Sequence, residues 1–537
     1  MIFFLNSLRR IKNYEIQLVL AYLTIISLIA FYLTYTSNKL IYYADSMSRL
    51  DIARKVIDNL HPGFAQFGNV WPPLPQMLMV PFTWNSYLWH SGIAGSLMSM
   101  PLFILGGFYI YKTAKLLTNS IIGSFLGLSI YSLNINMLFL QTTAMSEPLF
   151  MFLLAATIYY FVKWVHTRQD FDLIPAAIAV SAMTYTRYEG LSILSASIPM
   201  VILLAYIFKR SIAKTEGLTI LYTSLAITGF MAWTIYLWAI FGDPFYWLHI
   251  YATPSTVTST SKQVVHVYSQ HKPIIDAVLE YFTSFAWTIG LIPTLFGFLG
   301  LIVMFIKSIR TRTLYFIPLL MPLAIYLFLV LSLRTETPIV QPALNIQDIL
   351  SPTTSSQTGF NIRYGILLLP WVAIMSSYIF SLRFKVISIL IFLLFLVQLF
   401  NYPNPRYTSI YNISYNPNYT KAYPLLINWF KSHYTGGEIM ISAKSHENEM
   451  FLMGFDYKTY IQEGAGKYWK ESIDNPSRYA QYVVIDAGHP DDSLAPYFLN
   501  NSHRMGILER DYNLAFNDDK ENVKIYKKKV SPYFKIN

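Results

Sequence analysis

Asp45, Glu147, Arg187, Glu189 and Arg363 are ionisable residues standing close to the ends of long apolar runs. A carboxylate in such a place can take a proton from a bound hydroxyl or amine. A guanidinium there can grip a phosphate through its planar fork. Each residue also has a plainer use. Asp45, in Ile41-Tyr-Tyr-Ala-Asp45-Ser-Met-Ser-Arg49, stands where an N-cap aspartate would start a helix. Glu147, in Ser146-Glu-Pro-Leu-Phe150, opens an apolar run with Pro in the first turn, and a helix dipole favours it there. It is the only charge between Lys115 and Lys163. Arg187 and Glu189, in Thr186-Arg-Tyr-Glu-Gly190, lie between two short runs and can pair with each other, with Asp45 or with Glu147. Arg363, in Asn361-Ile-Arg-Tyr-Gly365, either snorkels or binds a phosphate. Tyr364 beside it either hydrogen-bonds that phosphate or belongs to an interfacial aromatic belt.

Two further motifs lie in loops. In Asn69-Val-Trp71-Pro-Pro-Leu-Pro75, three prolines in four residues predict an extended re-entry in place of a regular helix start. Phe241-Gly-Asp243-Pro-Phe-Tyr-Trp-Leu-His249 leads into a polar loop whose His249, His266 and His271 are too scattered for a metal site.

The elements that must position these residues are membrane spans. Of 537 residues 54% are hydrophobic, 17% aromatic and only 13% charged, and the mean hydropathy is +0.39. A soluble domain carries about 25% charged residues, so an ordinary soluble enzyme and a disordered chain are both excluded. With Cys 0, a disulfide framework and thiolate metal sites are excluded as well. Cutting at charge, Pro and Asn leaves eleven apolar runs: 16–36, 87–111, 119–136, 147–165, 172–186, 189–208, 218–241, 283–306, 313–333, 362–381 and 385–401. The chain therefore reads as a mainly α, polytopic membrane protein with about 11 transmembrane helices over 1–401. A soluble α/β domain follows over 402–537, with a helix at 423–433, strands at 438–442, 482–486 and 523–528, and a helical stretch near 491–500.

With the N-terminus cytoplasmic, the inner segments hold 15 Lys/Arg and the outer ones before the tail hold nine. That bias is the positive-inside rule, and it accounts for the net charge of +11 without nucleic acid. It places the C-terminal domain and three long loops, 37–86, 242–282 and 334–361, outside a plasma membrane. In the first of these, Met47, Leu50, Ala53, Ile57 and Leu60 recur at helical spacing, which predicts an amphipathic helix on the outer membrane surface.

The order of these features resembles the GT-C superfamily of polytopic glycosyltransferases, in the branch of protein O-mannosyltransferases and lipid A aminoarabinose transferases. Asp45 follows the first span, Trp71-Pro-Pro-Leu-Pro75 enters the second, and Ser146-Glu-Pro-Leu-Phe150 opens the fourth. Arg187-Tyr-Glu-Gly190 joins the fifth to the sixth, Gly242-Asp-Pro-Phe245 starts a long outer loop, and Arg363-Tyr364 begins a late span. Asp45 is followed by Ser46 where the protein O-mannosyltransferases have Asp-Glu. The resemblance implies an inverting transfer of a hexose or pentose from a polyprenyl-phosphate donor to a glycan, lipid or protein acceptor. It implies catalytic roles for Asp45 and Glu147, and donor-phosphate binding by Arg187, Arg363 and Tyr364. Glu189, Trp71 and His249 would orient substrate. A divalent cation (Mg or Mn) held by Asp45 and Glu147 is left open. The alternative is a transporter or flippase of a lipid-linked or small-molecule substrate, for which inverted repeats and mid-span charges would be expected.

Overall fold

A computed structural model of the chain describes residues 14–248, 273–333, 362–380 and 423–529, together with Leu393 and Ile410. Seven helices among them are long and apolar enough to cross a membrane, or eight if the pair Ile212–Ala226 and Thr228–Phe241, bent by 43°, is one span. The chain is a multi-pass membrane protein. The expected count of eleven is not reached among the described residues. The run at 119–136 forms Ile121–Ser132 and that at 172–186 forms Leu173–Thr184, each 12 residues and so only roughly 18 Å long. The run at 283–306 divides at Gly290, where φ is 102°, into Ile274–Ile289 and Leu291–Thr311. The last run, 385–401, and the expected boundary at 401/402 lie outside the described residues, as does His249.

Burial ranks the helices. Ile362–Phe380 is 94% buried and Glu147–Thr167 is 83% buried over their apolar windows, against 22% for Glu15–Thr36. The first two form the centre of the bundle and the last its rim. This matters because Arg363 and Glu147 start the two central helices. Gly365 lets the Ile362–Leu368 turn lie against Ile274–Ile289: a Cβ there would come within 2.4 Å of the Ser284 carbonyl oxygen. Ser284 Oγ donates to the Ile362 carbonyl (2.9 Å) and Tyr281 Oη to that of Tyr364 (3.1 Å), fixing Arg363 between them.

The C-terminal region is a five-stranded sheet of order β2-β1-β3-β5-β4, with β1 Ile439–Met440, β2 Tyr460–Ile461, β3 Tyr482–Asp486, β4 Tyr512–Asp518 and β5 Val523–Lys528. β1 pairs parallel with β2 and β3, whereas β5 is antiparallel to β3 and β4. The period of two sorts β3 between two cores. Val483 and Ile485 pack with Leu494, Phe498 and Leu508. Tyr482 and Val484 face a layer that runs through Phe430 and Phe451 to Met47 and Leu50 of the first long loop and to Trp89 just after it.

That second core corrects the reading of the loop. The helix forms, as Ala44–Lys55, but it is enclosed and its polar side is not open to solvent. Met47, Leu50 and Ala53 are buried on one side, and Ser46, Arg49, Asp51 and Arg54 are buried as well. The C-terminal region covers what would otherwise be its solvent face. Ser48 Oγ donates to Glu447 Oε2 (2.7 Å), and Arg54 pairs with Asp58 (2.8 Å) and Asp456 (3.2 Å). The prolines are corrected too. Pro73 takes the N-cap position and Pro75 the first turn of helix Leu74–Thr83, where a missing N–H is no loss because no helical carbonyl is available to it.

Candidate functional site

Four chain-distant segments bring their charged residues to one end of the bundle. The Ala44–Lys55 helix supplies Asp45 and Arg49, four residues apart and so on one face. Its N-cap is Tyr43, with no side-chain capping bond. Asp45 therefore does not cap the helix. Its Oδ2 accepts from Arg363 Nη2 at 2.6 Å. Glu147 is the first residue of its helix, and Ser146 at the N-cap makes no capping bond. Glu147 Oε1 accepts instead from Arg187 Nη1 (2.8 Å) and from Arg363 Nη1 (3.3 Å).

Arg187 sits in the turn between Leu173–Thr184 and Gly190–Lys209, where its N–H donates to the Met183 carbonyl (3.0 Å). Its guanidinium grips Glu189 with both edges, Nη2 to Oε1 at 2.6 Å and Nε to Oε2 at 3.2 Å. Its Nη1 also reaches Ser146 Oγ at 3.1 Å. The pairing anticipated among Arg187, Glu189 and Glu147 is thus present. Arg363 does not snorkel. It is 8% exposed, bridges Asp45 and Glu147, and lies 4.6 Å over the Tyr43 ring. The Tyr364 ring lies 5.5 Å from the Arg187 guanidinium, so Tyr364 belongs to the cluster as a wall.

Exposure separates the three carboxylates. The Asp45 side chain is 30% exposed, Glu189 6% and Glu147 0%. Of the three only Asp45 is partly open to solvent, and Glu147 is enclosed and paired with two arginines. Trp71 faces the same end. Its ring carries the Arg49 guanidinium at 4.3 Å, and it helps to line a cavity of about 200 Å³ with Ser48, Ile52, Phe67, Asn69 and Glu447. Tyr188 Oη holds the loop down through the Val70 carbonyl (3.0 Å) and stacks on Trp247 at 4.5 Å.

Arg49 is the residue that sequence reading missed, because it stood among ordinary loop bases. It is 3% exposed, and its Nε and Nη1 have no hydrogen-bond partner among the described residues. Burial draws its pKa down to about 10, against the opposing pull of Glu147 and Asp45, so it stays charged at neutral pH. The available signal was its spacing of four from Asp45. The Glu447 wall of the cavity carried no sequence signal, since it depends on the C-terminal region folding back onto the loop.

A divalent cation held by Asp45 and Glu147 does not fit this arrangement. The Arg363 guanidinium occupies the position between the two carboxylates, and a cation there would meet another cation. Among the described residues no group of three or more His, Asp or Glu could hold a metal ion.

No family model matches the chain, and no curated protein matches it. Solved structures similar to it include the Archaeoglobus fulgidus oligosaccharyltransferase in complex with Zn and sulfate, with a TM-score of 0.47 and 10% identity over 95% of this chain and 73% of that one. The apo form of that enzyme gives 0.49 and 11% over 97% and 75%. Archaeal oligosaccharyltransferase AglB from Archaeoglobus fulgidus, in complex with an inhibitory peptide and a dolichol-phosphate, gives 0.44 and 11% over 97% and 75%. At these scores the similarity does not assign a fold family.

Proposed function

We propose that the chain is a GT-C-type glycosyltransferase that moves a sugar from a polyprenyl-phosphate donor to an acceptor at the extracytoplasmic membrane face, with inversion. The observation that carries the reading is the gathering of Asp45, Glu147, Arg187, Glu189 and Arg363 at one end of an apolar bundle, with Asp45 alone open to solvent. A lipid-tailed donor explains why such a site belongs at helix ends and not in a soluble domain. A transporter reading gains nothing from charges placed there.

In this reaction the acceptor oxygen or nitrogen attacks the anomeric carbon while its proton passes to a carboxylate oxygen of Asp45. The bond from that carbon to the phosphate oxygen breaks, and its electron pair leaves with the phosphate. General-base help of this kind is worth about 10²–10⁴-fold. Arg187 and Arg363 provide positive potential for the departing phosphate, and Glu147 holds both in place. Glu189 orients Arg187, and Trp71 forms the wall against which substrate packs. The soluble region, which we assign to 402–537, covers the site from outside.

The test is transfer by purified full-length protein in nanodiscs, supplied with polyprenyl-phosphate sugars or with nucleotide sugars. Transfer from the lipid-linked donors alone supports the reading. Transfer from nucleotide sugars, or sugar translocation without transfer, contradicts it.

A further inference from the structure

Arg187 and Arg363 already spend their guanidinium edges on carboxylates. Arg187 gives three nitrogens to Glu189, Glu147 and Ser146, and Arg363 gives two to Asp45 and Glu147. A phosphate arriving at either would have to displace a buried ion pair. Arg49 is different. It is buried, it lies within the electrostatic reach of Glu147 and Asp45, and two of its nitrogens are unpaired among the described residues. A buried charge without hydrogen-bond partners is unfavourable. A donor group held that way, beside a cluster with chemistry to do, has capacity for a ligand.

We propose that Arg49 is the direct phosphate ligand of this site, with its unpaired N–H groups taking oxygens of the lipid-linked phosphate. The inference rests on the transferase reading and deepens it. The geometry of the guanidinium agrees. The Arg49 guanidinium carbon lies 4.3 Å from the centre of the Trp71 ring, a cation–π contact that holds the group without using its N–H donors. Position agrees as well. Arg49 lies one helical turn from Asp45 on the same face, roughly 6 Å along the axis. A reacting carbon seated between them would have the proton acceptor towards one end and the phosphate towards the other, as an inverting displacement requires.

The assignment differs from the sequence expectation. Arg187 and Arg363 supply field, and Arg49 makes the contact. It also gives a role to the Trp that precedes the proline pair, since an aliphatic residue there would offer the guanidinium no π face.

The test uses full-length protein in nanodiscs with farnesyl phosphate as probe and farnesol as its phosphate-free control, read by equilibrium binding. Arg49→Met keeps an unbranched side chain that packs well in a buried position, and Arg49→Gln is the second variant. Both should weaken farnesyl phosphate by about tenfold or more while leaving farnesol unchanged. Equal farnesyl phosphate affinity in wild type and either folded variant overturns the assignment of Arg49 and leaves the transferase reading standing. Absence of any phosphate-dependent binding by wild type overturns both. Displacement of the probe by glucuronate more readily than by inorganic phosphate assigns Arg49 to a sugar carboxylate and overturns the phosphate role.

Discussion

Two buried charge networks in this molecule differ in how their carboxylates are held. The network at the end of the bundle joins Asp45, Glu147, Arg187, Glu189 and Arg363 with Arg49 beside them. The network in the C-terminal region surrounds His446, whose Nδ1 lies 3.7 Å from Glu449 and whose Nε2 lies 3.5 Å from Asp486. There every carboxylate is also held by backbone. Asp486 accepts from the N–H groups of Gly488 and His489, Asp492 from those of Leu494 and Ala495, and Glu449 from that of Tyr423. That network ties its carboxylates to backbone at the ends of short strands, although the buried His446 Nε2 has no hydrogen-bond partner among the described residues. The bundle network draws on four distant segments, keeps one carboxylate partly exposed and holds an arginine with unpaired donors. What separates the two is the backbone anchoring of the carboxylates in the C-terminal network and the partly exposed carboxylate of Asp45 in the other.

The largest effect should come from the centre of the bundle network. Glu147→Gln removes the charge that two buried arginines share, and breaking a buried pair costs about 3–5 kcal/mol. Folded yield in detergent should fall sharply, as read by monodisperse protein on gel filtration. Normal yield would mean that the arginines find other partners and that Glu147 anchors nothing.

His446→Gln should cost less, about 1–3 kcal/mol, because its carboxylate neighbours keep their backbone bonds. Burial works against a charged ring there, but Glu449 first, then Asp486 and Asp492, outweigh it and raise the His446 pKa above its ordinary 6.5. The stabilisation is therefore full below pH 6.5 and is lost as pH rises through the folded value. Amide exchange across 443–453, corrected for intrinsic rates, should quicken from pH 6 to pH 8 in wild type and not in the variant. Identical pH dependence in both would remove His446 from the account.

The smallest effect should come from a chelator. Because Arg363 already bridges Asp45 and Glu147, EDTA should change transfer by less than about twofold, a few tenths of a kcal/mol. Loss of activity restored by Mg or Mn would show that the guanidinium gives way to a cation.

Much of this was legible in the sequence. Apolar runs are long-range compositional signals, and the starts at Glu147 and Arg363 came out within a residue. The C-terminal elements with dense apolar cores, such as Tyr482–Asp486, were equally plain. What was missed has physical causes, some local and some long-range. β2 is two residues long, and β4, Tyr512–Asp518, is a mostly exposed edge strand with polar residues in it. The break at Gly290 needs a positive φ that no run of hydropathy records. The Ala44–Lys55 helix read as amphipathic because its second partner, the C-terminal region, lies some 400 positions away in the chain. Arg49 was invisible for the same reason that most buried charges are. Only the fold shows that it has been removed from water.

The central claim is that Asp45 is the proton acceptor of a transferase site and not one more buried acid. The Ala44–Lys55 helix supplies its own control. Asp51 is fully buried, accepts from Trp89 Nε1 at 3.2 Å, and burial raises its pKa well above the ordinary 3.8. Asparagine should replace Asp51 with little loss, since it keeps the Trp89 bond and removes a charge that the site disfavours. Single-turnover transfer from a polyprenyl-phosphate sugar, measured on folded Asp45→Asn and Asp51→Asn side by side, compares the two acids directly. The account predicts a fall of about 10²-fold or more for Asp45→Asn and near-normal transfer for Asp51→Asn. Near-normal transfer by Asp45→Asn, or equal loss in both, would contradict it.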